Sequence, residues 1–507
     1  MHRCLRITEV VQAIADDVRL RSDLLSMGLA CRTFFDPAMN EMWRYLPAPE
    51  PLIRLLPEHV RGSGPDSELK IVRRPSREDW KRFEQYARKV WELEYWLVID
   101  NDEEITCLDI DWTSILRYYP GEQLLPNLRR ITTDQIFLKS FCPLVIRSPL
   151  RRLTLDCIDP EDQQAIVPHL HKCAATLETL SILASSPEDE VISDEVSCAI
   201  SHLQALTHLA VGKLLASTVE HLSQISSLSD LSFTLDDIDI LTATMLPFSR
   251  LQCLSVETHE GHPGSLVSLL RRIEAPSLRQ LTVVYSVKDD HVIPGHFYPE
   301  NQRPTAIHVG AVLAAAATFT SLQTITYDGR AGYSRPALAP NLCAASTLRP
   351  LFALPNLEAI KLVDIPFILM PNDIEPLAQA WPKLSCLLLG NGVRGGHSFI
   401  QAHDLLPFAS CPDLRALGLQ LLIVEDSTGA AERPAFGALK SRLRTLNIGD
   451  AATVEYSPDA VAFLACAFPD AWLCAHNGRT DAFRALQSTK EIVVDVMKKE
   501  LALRGEA

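Results

Sequence analysis

Three groups of residues have types and spacing that could do chemistry. His169, His171 and Cys173 alternate, and His259 and His262 stand near Glu257 and Glu260, so either set offers ligands for zinc. A tetrahedral site needs a further ligand converging from elsewhere, and no Cys-x-x-Cys pair is present to start one. The run Gly390-Asn391-Gly392-Val393-Arg394-Gly395-Gly396 fits Gly-x-Gly-x-x-Gly, which in a dinucleotide fold sets a pyrophosphate on a helix N-terminus. Here no acidic strand end follows near residue 410, and a glycine-rich turn needs no ligand. No Gly-x-Ser-x-Gly elbow or P-loop occurs, and the 13 cysteines are scattered from Cys4 to Cys474, an odd set expected to stay reduced. No catalytic residue, metal or cofactor is expected, and the chain is read as a non-enzyme.

The elements that would carry these residues repeat. An apolar residue, two variable residues, an apolar residue, one variable residue and an apolar residue recur as LRRLTL at Leu150, LETLSI at Leu177, LTHLAV at Leu206 and LSDLSF at Leu228. Further copies begin at Leu251, Leu278, Leu322, Leu357, Leu384, Leu414 and Leu443, with a weaker one at Leu128. The last two apolar positions lie two apart, on one face of a strand. One strand cannot bury that face alone, but stacked copies form a parallel sheet with a continuous leucine core. The fold class expected is therefore α/β, a leucine-rich-repeat solenoid with its sheet on the concave side and helices on the convex side.

Spacings of mostly 22 to 30 residues leave room for return helices, with candidates at 373–384 and at 457–469, the latter capped by Ser457 with Pro458 at its first position. Two spacings, 44 and 35 residues, are longer, and the first holds the turn-rich segment 288–305, read as a projecting loop.

Residues alternating with the leucines face the concave side. Of 33 such positions only six are charged: Arg152, Asp156, Asp230, Glu257, Asp328 and Lys361. The face suits hydrogen bonding to a protein, and Asp230, Ser232, Thr234, Ser255, Glu257, Thr324 and Thr326 are its candidate substrate-binding residues.

Residues 1–46 follow another pattern. Val10, Val11, Ile14 and Val18 share a helix face, Ser22 can cap a second helix through Leu24, Leu25 and Cys31, and Asp36-Pro37 can open a third that ends near Trp43. About 40 residues bury little core, so such a module needs a partner or a docking surface. Residues 47–79 are rich in proline and glycine and read as a linker. Ser76 and Asp79 fit a capping box for a helix bearing Trp80, Phe83, Ala87, Val90 and Trp91, and residues 80–507 are read as the solenoid, opened by this cap helix and closed by a C-terminal helix.

The segment ITEVVQAIADDV, followed by SDLLSMGLACRTFFDPAMNEMWRYL, resembles the F-box, and the layout resembles the fungal F-box proteins with leucine-rich repeats. That resemblance implies docking on the Skp-type adaptor of a cullin–RING ubiquitin ligase, with the repeats holding an unknown protein substrate. Matched residue by residue, it assigns adaptor contact to Ile7, Val10, Val11, Ile14 and Val18, to Leu24 and Leu25 after Asp23, to Arg32 after Cys31, and to the closing Trp43. The family commonly has Leu-Pro where this chain has Ile7-Thr8, and a bulky residue where it has Ala15. Both departures are thus expected to weaken the docking face. The alternative is an interaction scaffold whose F-box-like segment only caps the solenoid.

Charge limits the partners. The formal net charge is −15, the longest basic runs are doublets such as Arg129-Arg130 and Arg151-Arg152, and binding to nucleic acid or to an anionic membrane is not expected. The N-terminus lacks the apolar core of a signal peptide, and the stretch Val309 to Ala317 is about half the roughly 20 residues that span a bilayer. The expected compartment is the cytoplasm, with the nucleus left open.

Overall fold

The computed structural model describes residues 3–63, 69–95, 99–100, 103–104, 110–134, 150–156, 164, 166–183, 192–235, 245–258, 263–285, 305–329, 342–365, 367–391, 400–419, 441–447, 458–474, 488, 490–495 and 498. The chain divides into two compact units, Met1–His221 and Leu222–Ala507.

Both units are leucine-rich-repeat solenoid. In the first, strands β1 (Tyr45–Leu46), β2 (Glu92–Tyr95), β3 (Arg130–Asp134), β4 (Arg152–Asp156), β5 (Thr179–Ile182) and β6 (His208–Lys213) pair in parallel, each with the next. In the second, the same holds for β7 (Asp230–Leu235), β8 (Cys253–Thr258), β9 (Gln280–Tyr285), β10 (Thr324–Asp328) and β11 (Ala359–Val363). The ladder continues through β12 (Cys386–Asn391), β13 (Ala416–Gly418), β14 (Thr445–Asn447) and β15 (Trp472–Cys474). All eleven clear copies and the weaker one at Leu128 therefore form strands, in spatial order within each unit. Burial explains the pairing: Leu254, Leu281, Ile325, Ile360 and Leu387 sit in one register row and are at most 1% exposed. Each such leucine or isoleucine gains about 1.5–3 kcal/mol from leaving water, and only its neighbours in the row provide the cover.

Helices return the chain between strands, among them Val167–Cys173, Asp194–Ser201, Pro263–Arg272 and Ala306–Ala316. The candidates at 373–384 and 457–469 correspond to Pro371–Ala380 and Pro458–Ala467, and the proposed cap Ser457 lies outside the described residues. Most of the loop at 288–305 lies outside them as well; only Thr305 is described, and it caps helix Ala306–Ala316. Among the described residues no helix is long and apolar enough to cross a membrane. Near the C-terminus Lys490 is buried, and its Nζ donates to the carbonyl oxygens of Pro469 (3.2 Å) and Ala471 (2.6 Å). Burial holds its amine down, to about 8.

The N-terminal module consists of helices α1 (Thr8–Asp17), α2 (Arg21–Ala30) and α3 (Arg32–Arg44), with α1 and α2 both packed on α3. Two expected starts are displaced. Leu20, not Ser22, precedes α2, and no side chain caps that helix. Pro37 lies inside α3, five residues beyond its first residue, and is buried, so tertiary packing outweighs the hydrogen bond that proline cannot donate.

The module has no free tether to the sheet. Helix α3 ends at Arg44 and β1 begins at Tyr45, while Trp91 donates its backbone N–H to the Arg44 carbonyl at 2.9 Å. Residues 47–79, read as a linker, carry the helix Glu50–Ile53 and an antiparallel hairpin of Arg61–Ser63 with Leu69–Ile71. Leu52, Ile53, Leu56 and Val60 are at most 2% exposed. The helix Arg77–Ala87 has the expected capping box between Ser76 and Asp79, and Trp80 and Phe83 are fully buried. Trp91, expected on the same side, is 46% exposed.

Candidate functional site

The zinc and nucleotide candidates are described only in part. Among the described residues no group of three His, Cys, Asp or Glu could hold a metal ion. On helix Val167–Cys173, His171 is exposed while Cys173 is buried, and burial lowers the pKa of half-buried His169. His259, Glu260 and His262 lie outside the described residues. Gly390 has a backbone reason of its own: its φ is 75°, and the register shifts there, with Val363 pairing to Asn391, so it forms a bulge that an L-residue would strain. Gly392 to Gly396 lie outside the described residues.

At five of the described cysteines burial works against an activated thiolate. Cys253 on β8 is pushed up to about 11, first by burial and then by the Asp230 carboxylate, and burial raises Cys173, Cys386, Cys411 and Cys474 in the same direction. At neutral pH these are thiols. All ten described cysteines are free of disulfides.

Two protein surfaces remain. The first is the exterior of the module. Ile7 (49% exposed), Ile14 (41%) and Leu25 (47%) lie open, Arg32 is exposed, and Val10 and Val18 are half-buried. A groove along α1 is lined by Glu9, Val10, Ala13, Ile14, Asp17 and Val18. Val11 (0%) and Leu24 (4%), assigned to adaptor contact by the resemblance, sit instead inside the module's own core. On α1 the buried positions, Val11 and Ala15, are four apart and so share the face packed on α3. Ala15 is thus a core residue, and a bulky side chain there would meet α3 rather than extend the docking face.

Trp43 is half-buried and packs on Tyr86 with ring centroids 4.6 Å apart, so it ties α3 to the cap helix. The sequence reading missed three apolar residues on this exterior, Leu20 (61%), Leu29 (74%) and Phe35 (42%). The four-residue spacing of Leu25 and Leu29 was the available signal.

The second surface is the sheet face. Ser232 pairs in register with Ser255, Thr324 with Gln280, and Thr326 with Thr282, and all of the named candidates except Thr234 are partly exposed. Thr234 is 6% exposed because the last three residues of β7 are all buried, which removes it from the recognition set. Asp230 accepts from Ser229 Oγ and lies beside Cys253, whose Sγ is 3.6 Å from Gln280 Oε1, so polar contacts run across three strands. Glu257 stands opposite Thr234 in the β7–β8 pairing.

No protein-family model matches the sequence, and a search of curated proteins finds no match. Similar solved structures include the TLR13–ssRNA13 complex (TM-score 0.37, 14% identity), which covers 72% of this chain, while the chain spans 44% of that one. The Rad7–Elc1 complex of yeast (TM-score 0.32, 13% identity) covers 81% of this chain and is itself covered over 93%. An internalin of Listeria monocytogenes (TM-score 0.33, 14% identity) covers 74% and is covered over 99%.

Proposed function

We propose that this chain is a non-enzymatic, substrate-recruiting subunit of a Skp/cullin/F-box-type ubiquitin ligase. The exterior of α1 and α2 contacts the Skp-type adaptor, and the sheet face holds a target protein. The observation that carries this reading is where apolar surface remains exposed. Of the 17 large apolar residues exposed among the described residues, 7 lie between residues 3 and 46. Terminal caps of a solenoid need a polar outer face for solubility, so an apolar one calls for a partner.

The test is co-purification of the full chain with a Skp-type adaptor, beside the variant Ile14→Asp with Leu29→Asp. Each of these residues offers about 1.5–3 kcal/mol of burial, so together they should cost at least tenfold in affinity. Failure of the wild-type chain to bind any such adaptor would sink the reading.

A second reading, a scaffold whose F-box-like segment is only a cap, is favoured by the run from α3 into β1 and by the Trp43–Tyr86 contact. It predicts a folded chain that ignores the adaptor.

A further inference from the structure

The alternating histidines of helix Val167–Cys173 gain a neighbour that the sequence does not show. Residues two apart on a helix point about 200° from each other, so His169 and His171 cannot share one ion. His169 is half-buried, whereas His171 is exposed. The helix of the next repeat, Asp194–Ser201, packs alongside and ends at His202, which is exposed as well. The rings of His171 and His202 have centroids 5.5 Å apart and planes at 64°. Two imidazoles on one tetrahedral ion, each nitrogen about 2.0–2.1 Å from it, have centroids about 5 Å apart. The observed separation is close to that of a chelating pair.

His202 is also held in the tautomer that a metal ligand needs. Its Nδ1 lies 2.9 Å from the Cys198 carbonyl oxygen, one turn back, and 3.4 Å from Ser201 Oγ. A carbonyl oxygen only accepts, so Nδ1 carries the hydrogen, and the lone pair of the neutral ring is on Nε2. An Nδ1–H bound to a backbone carbonyl is the outer support that orients metal-bound histidines. The carboxylates of the second helix, Asp194 and Glu195, stand in its first turn, at the end away from His202. The two rings are thus a pair without a third protein ligand among the described residues, in keeping with the lack of any group of three there.

We infer that His171 and His202 form a two-histidine site for a divalent transition-metal ion of the zinc, nickel and copper kind, bound between two consecutive repeats. Imidazole suits these ions, whereas magnesium and calcium take oxygen ligands. A structural zinc site has four protein ligands; here two positions stay open to water or to a side chain of a bound protein, and the ion exchanges. The site is independent of the adaptor and of the ligase reading.

The experiment is a calorimetric titration of the full chain, reduced and stripped with a chelator, with Ni2+ and with Mg2+. Nickel is the probe because thiols select zinc and reduced copper, and all ten described cysteines are free. The wild-type chain should bind one Ni2+ at least about tenfold more tightly than His171→Ala or His202→Ala does, since even changes to the outer support of a ligand cost about 10–100-fold in metal affinity. His221→Ala removes an exposed histidine from helix Ala216–Ser223, and Cys198→Ser removes an exposed thiol four residues before His202; both should bind as the wild type does. Ni2+ should also raise the melting temperature of the wild type and of neither histidine variant, because an unfolded chain does not hold two residues 31 positions apart together. Without metal, His171→Ala should melt with the wild type, as an exposed side chain allows.

Equal affinity in the wild type and both histidine variants would overturn the inference, as would an equal loss in His221→Ala. Loss of binding in Cys198→Ser would replace the two-histidine site with a thiolate one, and displacement of Ni2+ by an equal concentration of Mg2+ would show a site made of oxygen ligands; either result overturns it too.

Discussion

The module and the solenoid handle the same kinds of residue in opposite ways. In the repeats, leucines such as Leu254 and Leu281 turn inward and are at most 1% exposed, because the next strand supplies the other half of each contact. In the module, Leu25 and Leu29 turn outward, 47% and 74% exposed, on a helix whose buried residues, Leu24 and Gly28, belong to its packing on α3. The repeat array is finished by its own copies. The module keeps apolar side chains exposed among the described residues, and that is the observation behind the interaction role proposed for it.

The contrast can be broken by paired substitutions. Leu254→Ala should lower the unfolding free energy by about 2–5 kcal/mol, a cavity no neighbour can fill, whereas Leu29→Ser should change it by about 0.5 kcal/mol or less. Urea midpoints compare the two, and equal shifts would show that Leu29 is buried in the native chain. A subtler pair lies on α1. Ala15→Phe should destabilise the module by about 1–3 kcal/mol through overpacking against α3 and weaken adaptor binding, while Ile14→Phe should leave stability within about 0.5 kcal/mol and retain binding. Tighter adaptor binding by Ala15→Phe would return that position to the docking face.

The smallest effect belongs to the solenoid's far end, where a polar group closes the packing. Lys490 is held down to about 8 from an ordinary 10.5, so between those values the folded chain sheds a proton that the unfolded chain keeps. Stability should therefore rise with pH across that window, and Lys490→Met should flatten the rise in melting temperature between pH ~8 and ~9.5. An identical slope in both proteins would assign it to other groups.

The repeat was legible because its signal recurs, and each strand is corroborated by the ten others. β2 carries the same pattern in VWELEY, from Val90 to Tyr95, but valine and tyrosine at the outer positions hid it from a search for leucine. Helix ends in the module were less legible, since Ser22 and Pro37 suit a helix start by propensity and α3 packing decides otherwise. The division of α1 into inner and outer faces was the harder matter. Val10, Val11, Ile14 and Val18 are all apolar and within about 100° of one another, and only the position of α3 shows that Val11 faces in. The pairing of Arg130 with Arg152 was hidden in the same way: residues 22 apart become neighbours only once the register is known.

The passage from α3 straight into β1 has a consequence for reach. Two binding modules on a flexible tether sample each other's partners at an effective concentration set by tether length. Here Arg44 is the last residue of a helix and Tyr45 the first of a strand, with the Trp43 ring on Tyr86 and the Arg44 guanidinium 5.5 Å over the Trp91 ring. A partner on α1 and a partner on the first strands would be held at one fixed separation and one fixed angle. Which side chains of the second are presented to the first is then a property of the joint, and a glycine-rich insertion after Arg44 would trade that fixed aim for a wide and diluted sweep.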